Sequence, residues 1–228
     1  MALLFPAGAA LAQVSASAAL VSDYRFRGVS LSDGKAVPQL NLNYDGRHGW
    51  YAGLFASGVA LQDGDGGQQL SMYAGYAARA PAGLSWEYGL AVTVFRPSAT
   101  YNYGEAFLGL ASANVGARLY YAPEYFGEPR GTLYGEINAS YPLAQRWRLL
   151  AHGGSLHAIA GQAASALAPA ARRDWRIGVS LERADWTWQL AWLYTRLAAP
   201  QTSPVYGYDS VRAPRTPRAL LLSASYAF

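Results

Sequence analysis

Arg218-Ala-Leu-Leu-Leu-Ser-Ala-Ser-Tyr-Ala-Phe228 closes the chain. With a period of two, Leu220, Leu222, Ala224, Tyr226 and Phe228 fall on one face. Ala219, Leu221, Ser223, Ser225 and Ala227 fall on the other. A tall apolar face backed by small, wetter residues suits a strand set between lipid and a barrel interior. The same pattern also fits an edge strand of a soluble β-protein, so the rest of the chain has to decide.

Composition favours the membrane. Charged residues make up 14% of the chain, against roughly 25% in ordinary soluble domains. Too few charges remain to coat a soluble globule, although mean hydropathy is only +0.01. No apolar run of about 20 residues follows the N-terminus, which argues against membrane helices. The 17 Tyr, 7 Trp and 24 Gly fit a membrane barrel instead. Cys is absent, which removes disulfides, thiol catalysis and thiolate metal sites. The formal charge is +4, but Lys35 is the one lysine and there is no basic run, so nucleic acid is not an expected partner.

Residues 1–12 are apolar and end in Ala10-Leu-Ala12, an A-x-A-type cleavage pattern without a positive start. They read as a truncated signal peptide, with export implied, or else as an apolar first strand. Residues 13–228 read as the barrel domain.

Alternation then recurs along the chain. Strands are expected at 15–29, 36–45, 50–61, 69–79, 84–95, 102–111, 115–123, 131–141, 146–157, 173–183, 186–197 and the C-terminus. Twelve is an even number, as single-chain bacterial outer-membrane barrels have. The cleanest dyads set Leu84, Trp86, Tyr88, Leu90, Val92 and Val94, and later Trp186, Trp188, Leu190, Trp192 and Tyr194, on one face. Every second connection (46–49, 80–83, 112–114, 142–145, 184–185) is short. The longest, 158–171 and 198–217, lie on the other side, which is the loop asymmetry of such barrels. Trp50, Trp86, Trp147, Trp186, Trp188, Tyr44, Tyr141 and Tyr226 gather at the short-turn rim, as an interfacial girdle requires.

Val21-Ser-Asp-Tyr-Arg-Phe-Arg-Gly-Val-Ser30 and Ser32-Asp-Gly-Lys-Ala-Val-Pro-Gln39 resemble the N-terminal signature of the TorF family of proteobacterial porins. So do Trp50-Tyr-Ala-Gly53, Tyr120-Tyr-Ala-Pro-Glu-Tyr-Phe-Gly127, the Ser140-Tyr-Pro-Leu143 turn and the closing Ser223–Phe228. The resemblance implies an outer-membrane barrel and a pore.

The candidate pore-lining residues are Asp23, Arg25, Arg27, Glu87, Glu105, Arg118, Glu136, Arg148, Arg176 and Glu182. Five are acidic and five basic. They could form a positive ladder facing an acidic one, which selects ions, or a paired network that fills the lumen. Alternation separates Tyr24 and Phe26 from Arg25 and Arg27, so no nucleic-acid stripe forms. His48 sits in a turn and His152 points inward. Ser155 and His157 are weighed as a barrel-hydrolase pair and discounted, being placed on opposite faces. Asp63 and Asp65 resemble a calcium-loop fragment without its later acidic ligands. No metal, cofactor or catalytic residue is expected. The sequence therefore points to an exported outer-membrane barrel passing small, anionic solutes or ions by diffusion. A closed barrel with a structural or surface-binding role, or an outer-membrane hydrolase, is the alternative. Outer-membrane lipid and solutes are the expected partners, with the barrel-assembly machinery engaging the Phe228 strand. The 158–171 and 198–217 loops are candidate lids.

Overall fold

The computed structural model describes residues 13–61, 66–81, 83–127, 131–160, 171–197 and 216–228. The expected signal peptide, 1–12, lies outside them. Twelve antiparallel strands form a closed barrel. They are β1 (Gln13–Val21), β4 (Val37–Asp45), β5 (Trp50–Val59), β6 (Gly67–Arg79), β7 (Ser85–Arg96) and β8 (Tyr103–Ala111), then β9 (Val115–Ala122), β10 (Gly131–Ala144), β11 (Trp147–Ala160), β12 (Arg172–Arg183), β13 (Trp186–Leu197) and β14 (Arg218–Ala227). A small separate hairpin joins β2 (Arg25–Phe26) to β3 (Val29–Ser30). Each barrel strand pairs with its sequence neighbour, and β1 pairs with both β4 and β14, which removes every free edge.

The closing strand behaves as its alternation demands. Leu220 and Leu222 are 64% and 56% exposed, and both point out of the barrel. Leu40, Leu90, Leu108, Leu119, Ile137 and Ile177 continue that apolar belt around the wall. In water, exposure on this scale would be an aggregation hazard. Against hydrocarbon it is the stable arrangement. Trp50, Tyr76, Trp86 and Tyr88 touch in sequence at one rim, and Trp186, Trp188, Tyr226 and Phe228 do so further round. Both sets lie at the short-turn end, where the girdle was expected.

Two boundaries differ from the sequence expectation. The strand expected over 15–29 leaves the wall after Val21. Asp23 there accepts a hydrogen bond from Ser30 Oγ at 2.5 Å, and Arg27 and Gly28 take positive φ values of 47° and 83°. No strand continues through such a turn. The turn expected over 142–145 falls at Gln145-Arg146, because β10 runs on to Ala144. Pro142 lacks an amide donor, and the register shifts between Pro142 and Ala144 to accommodate it.

The buried core sits off-centre, at the long-loop end. Tyr24, Val29 and Leu31 from the connection between β1 and β4 pack against Val59, Leu61, Phe95, Tyr101, Tyr103, Tyr125, Tyr134 and Leu156. Phe126 stacks among Phe95, Tyr101, Tyr103 and Tyr125. Burying each such side chain stabilises by about 1.5–3 kcal/mol. The cluster therefore fixes the inserted hairpin inside the barrel mouth.

Candidate functional site

Twelve strands fall between the eight whose side chains fill the interior and the sixteen that leave an aqueous channel. The inserted hairpin and the inward side chains therefore decide what passes. The hairpin starts between adjacent strands β1 and β4 and reaches the far wall. Arg27 pairs with Glu105 on β8 at 2.7 Å. Thr195 Oγ1 on β13 donates to the Gly28 carbonyl at 2.9 Å. Arg25 donates to the Thr216 carbonyl at 3.0 Å and to its Oγ1 at 2.7 Å. In a ring of twelve strands these contacts span a diameter, so β2–β3 forms a crossbar.

Arg27 is the crossbar's main anchor. It is 7% exposed, and Glu105 is 9% exposed. The rings of Phe26, Tyr120, Tyr125 and Tyr134 lie 4.5–5.3 Å from its guanidinium carbon. Burial pushes the pKa of Arg27 down, but the Tyr125 phenol and the Glu105 carboxylate outweigh that and hold it above the ordinary value. A charge held in this way is locked rather than titrating. At Gly28 a Cβ would stand 2.6 Å from Thr195 Oγ1, so the close approach needs glycine on steric grounds as well as for its φ. Asp23 braces the near end by pairing with Arg25 at 2.6 Å.

On the short-turn side of the crossbar the lumen is polar. Glu87 on β7 receives Arg118 Nε from β9 at 2.5 Å and the Tyr51 hydroxyl from β5 at 2.7 Å. Gly109 lies on β8 between Glu87 and Arg118, and a side chain there would collide with the Glu87 carboxylate. Tyr73 donates to Asn43 on the same side. The facing wall carries a second chain of contacts. His152 Nδ1 meets Asn138 Oδ1, and His152 Nε2 meets Asp174 Oδ2, each at 2.8 Å. Tyr134 OH stands 3.3 Å from both His152 Nε2 and Asp174 Oδ1. Arg176, opposite His152, is exposed to the lumen and has no ion-pair partner among the described residues. Asn138 is likewise exposed.

The ten expected lining residues separate into four sets. Asp23, Arg25 and Arg27 belong to the crossbar and not to a strand face. Glu87 and Arg118 pair along one wall, across Gly109 of β8, and Glu105 pairs with Arg27 of the crossbar, rather than forming two opposed ladders. Glu136 accepts from Tyr120 at 3.3 Å, and Arg148 donates to Ser140 Oγ at 2.8 Å and to its carbonyl at 3.1 Å. Arg176 and Glu182 point inward without an ion-pair partner among the described residues, Glu182 near the short-turn rim. Sequence reasoning missed Asp174, Tyr51, Tyr73 and Tyr134. Parity with Arg176 signals Asp174, and parity with Glu136 signals Tyr134. The expected lid loops lie largely outside the described residues, so the crossbar is the constriction seen.

Ser155 and His157 need a correction. Residues two apart on a strand share a face, and Ser155 Oγ lies 2.8 Å from His157 Nε2. Both point outward, away from the lumen, because their neighbours Leu156 and Gly154 point in. Among the described residues no carboxylate orients the imidazole.

A closed barrel with an apolar outer belt, aromatic rims and a charged lumen has the architecture of a transmembrane β-barrel. The chain belongs to the Gcw_chp family, described as bacterial proteins of unknown function, whose model matches residues 7–219. No curated protein matches it by sequence. Its fold is similar to that of the NanC porin, with a TM-score of 0.59 at 9% identity over 94% of this chain and 99% of that one. The KdgM porin gives a TM-score of 0.56 at 11% identity, with the same coverage. LpxR from Salmonella typhimurium gives 0.51 at 8% identity, again over 94% and 99%. At these identities the likeness is one of fold.

Proposed function

We propose that the protein is an outer-membrane channel for passive diffusion of small anionic solutes. The observation that carries this reading is Arg176, exposed in a polar lumen beside His152 and Asn138 and without an ion-pair partner among the described residues, while Arg148, nearer the short-turn end of the neighbouring strand, donates to Ser140. Glu87 and Glu105 are already matched to Arg118 and Arg27. Of the inward charges without an opposite partner among the described residues, Glu136 is held by Tyr120 and only half-exposed, and Glu182 and Arg148 lie toward the short-turn rim. That leaves Arg176 as the exposed charge in mid-lumen, and a positive charge there favours anions. The belt and girdles support a membrane location. The TorF-type signature over Val21–Gln39 and the fold shared with porins point the same way. The long-loop end then faces outward and the short turns face the periplasm. Outer-membrane lipid surrounds the wall, and the Phe228 strand is the segment offered to the barrel-assembly machinery.

Liposome swelling with galacturonate, galactose and galactosamine tests the charge preference at constant ring size. Galacturonate is chosen because a KdgM structure was solved in complex with disordered oligogalacturonate. The reading predicts fastest entry for galacturonate, and loss of that advantage in Arg176→Ala and Arg148→Ala. Equal rates for the three sugars would remove the anionic preference. No swelling at all from a folded barrel would remove the channel.

A further inference from the structure

The buried charges inside the barrel are paired at Arg27 with Glu105, whereas a group of arginines on the outer surface near the long-loop rim has no ion-pair partner among the described residues. Arg173 on β12 and Arg196 on β13 are directly opposite each other in the register. Both lie on the lipid-facing parity, since Asp174 and Thr195 between them are buried inward. Directly opposed side chains stand about 5 Å apart at Cβ, and like charges there repel. Both residues are exposed, and neither has a hydrogen-bond or ion-pair partner among the described residues. Arg218 on β14, opposite Tyr194, adds a third exposed guanidinium diagonally beside Arg196. His157 and Ser155 continue the patch on β11, where Ser155 is opposite Arg173. Among the described residues, the outward face of β11 to β14 carries no carboxylate.

The depth of the patch is fixed by aromatic rings. Trp175 stacks on Tyr194 at 5.6 Å, Tyr194 on Trp192 at 6.1 Å, and the Arg218 guanidinium lies 5.8 Å over the Tyr194 ring. Such rings mark the boundary between hydrocarbon and headgroup. Arg173 and Arg196 are two residues beyond Trp175 and Tyr194 toward the rim, at headgroup height.

We infer that Arg173, Arg196 and Arg218 form a binding site for the phosphate groups of an outer-leaflet phosphoglycolipid. The inference rests on the outer-membrane reading above. Guanidinium groups take phosphate oxygens in a bidentate fork. A phosphate between Arg173 and Arg196 would also relieve their mutual repulsion. A lipid fits the place better than a soluble anion does, because its acyl chains would lie along Trp192, Ile177 and Leu220 directly below.

The test is native mass spectrometry of the barrel folded in detergent, titrated with diphosphoryl lipid A and with its dephosphorylated form. The wild type is expected to retain the diphosphoryl form alone. Arg173→Gln with Arg196→Gln should weaken retention about thirtyfold, the loss of two cations from a headgroup site. Arg183→Gln, an exposed outward arginine at the opposite rim, should leave retention unchanged. Millimolar inorganic phosphate should compete poorly. Equal retention of both lipid forms would overturn the site, as would equal retention by wild type and double variant. Full displacement by inorganic phosphate would overturn the lipid as its occupant. If the double variant does not fold, the comparison of the two lipid forms on the wild type still decides. Lipid retention is read without conductance, so a silent barrel that binds lipid A would refute the channel alone.

Discussion

Arg27→Ala attacks the crossbar at its anchor. The substitution leaves the Glu105 carboxylate buried among rings with its cation gone. Breaking a buried pair by removing one partner costs about 3–5 kcal/mol. The Arg27 and Glu105 side chains are only 4% and 7% exposed, so solvent screening discounts that figure little. At about 1.4 kcal/mol per factor of ten, the docked-to-released ratio of the hairpin should fall roughly a hundred- to a few-thousandfold. The strands should not feel it, because their ladders close without the hairpin. Hydrogen exchange reads the ratio directly. The Leu31 amide donates to the Tyr24 carbonyl and the Ala60 amide to the Leu31 carbonyl, each at 2.7 Å. Both should lose protection by that factor, while amides in mid-β13 keep theirs. Adding Glu105→Ala should restore part of the loss, since the orphaned charge is then gone as well. Unchanged protection in Arg27→Ala would refute the crossbar, and so would a double variant at least as exposed as the sum of the two single ones.

The same structure sets other outcomes. Gly28→Val introduces a Cβ into Thr195 at a positive φ, and should release the hairpin with a cost of at least about 1–3 kcal/mol, read by the same exchange. Leu222→Arg puts a charge on the lipid face and should cost about 2–4 kcal/mol in denaturant unfolding from liposomes, whereas Ser223→Arg, facing the lumen, should cost far less. Arg118→Ala breaks a pair that is 35% exposed on the arginine side, so its stability cost should stay near or below about 1 kcal/mol. Its effect should instead be a reversal potential moved toward cations, because Glu87 is left with Tyr51 alone.

Much of the wall was legible because a two-residue period has only two faces, and lipid tolerates one of them poorly when it is charged. Leu84–Val94, Trp186–Tyr194 and Leu220–Phe228 all point as their alternation says. The first strand misled for a physical reason. Asp23, Arg25 and Arg27 alternate with Tyr24 and Phe26 as a wall strand would. A hairpin crossing a polar lumen also needs rings to pack and charges to pair, so periodicity does not separate the two cases. The Asp23 and Ser30 turn residues and Gly28 were the available signals against a strand. Inside the barrel, parity assigned Glu87, Glu105, Arg118, Glu136, Arg148, Arg176 and Glu182 to the lumen. It gave no partners, because partners are set by strand register and barrel closure. Glu87 and Arg118 meet only because Gly109 lies between their strands at one level. Arg173 and Arg196 went unremarked for the same reason, since only the register brings them face to face.

The central claim is a water-filled, anion-preferring passage beside a fixed crossbar. Single-channel current from the barrel refolded in detergent, recorded in a planar bilayer under asymmetric salt, tests it most directly. The account predicts discrete conductance steps and a reversal potential of the anion-selective sign, weakened in Arg176→Ala. A folded barrel that stays silent, or one whose reversal potential is cation-selective, would contradict it.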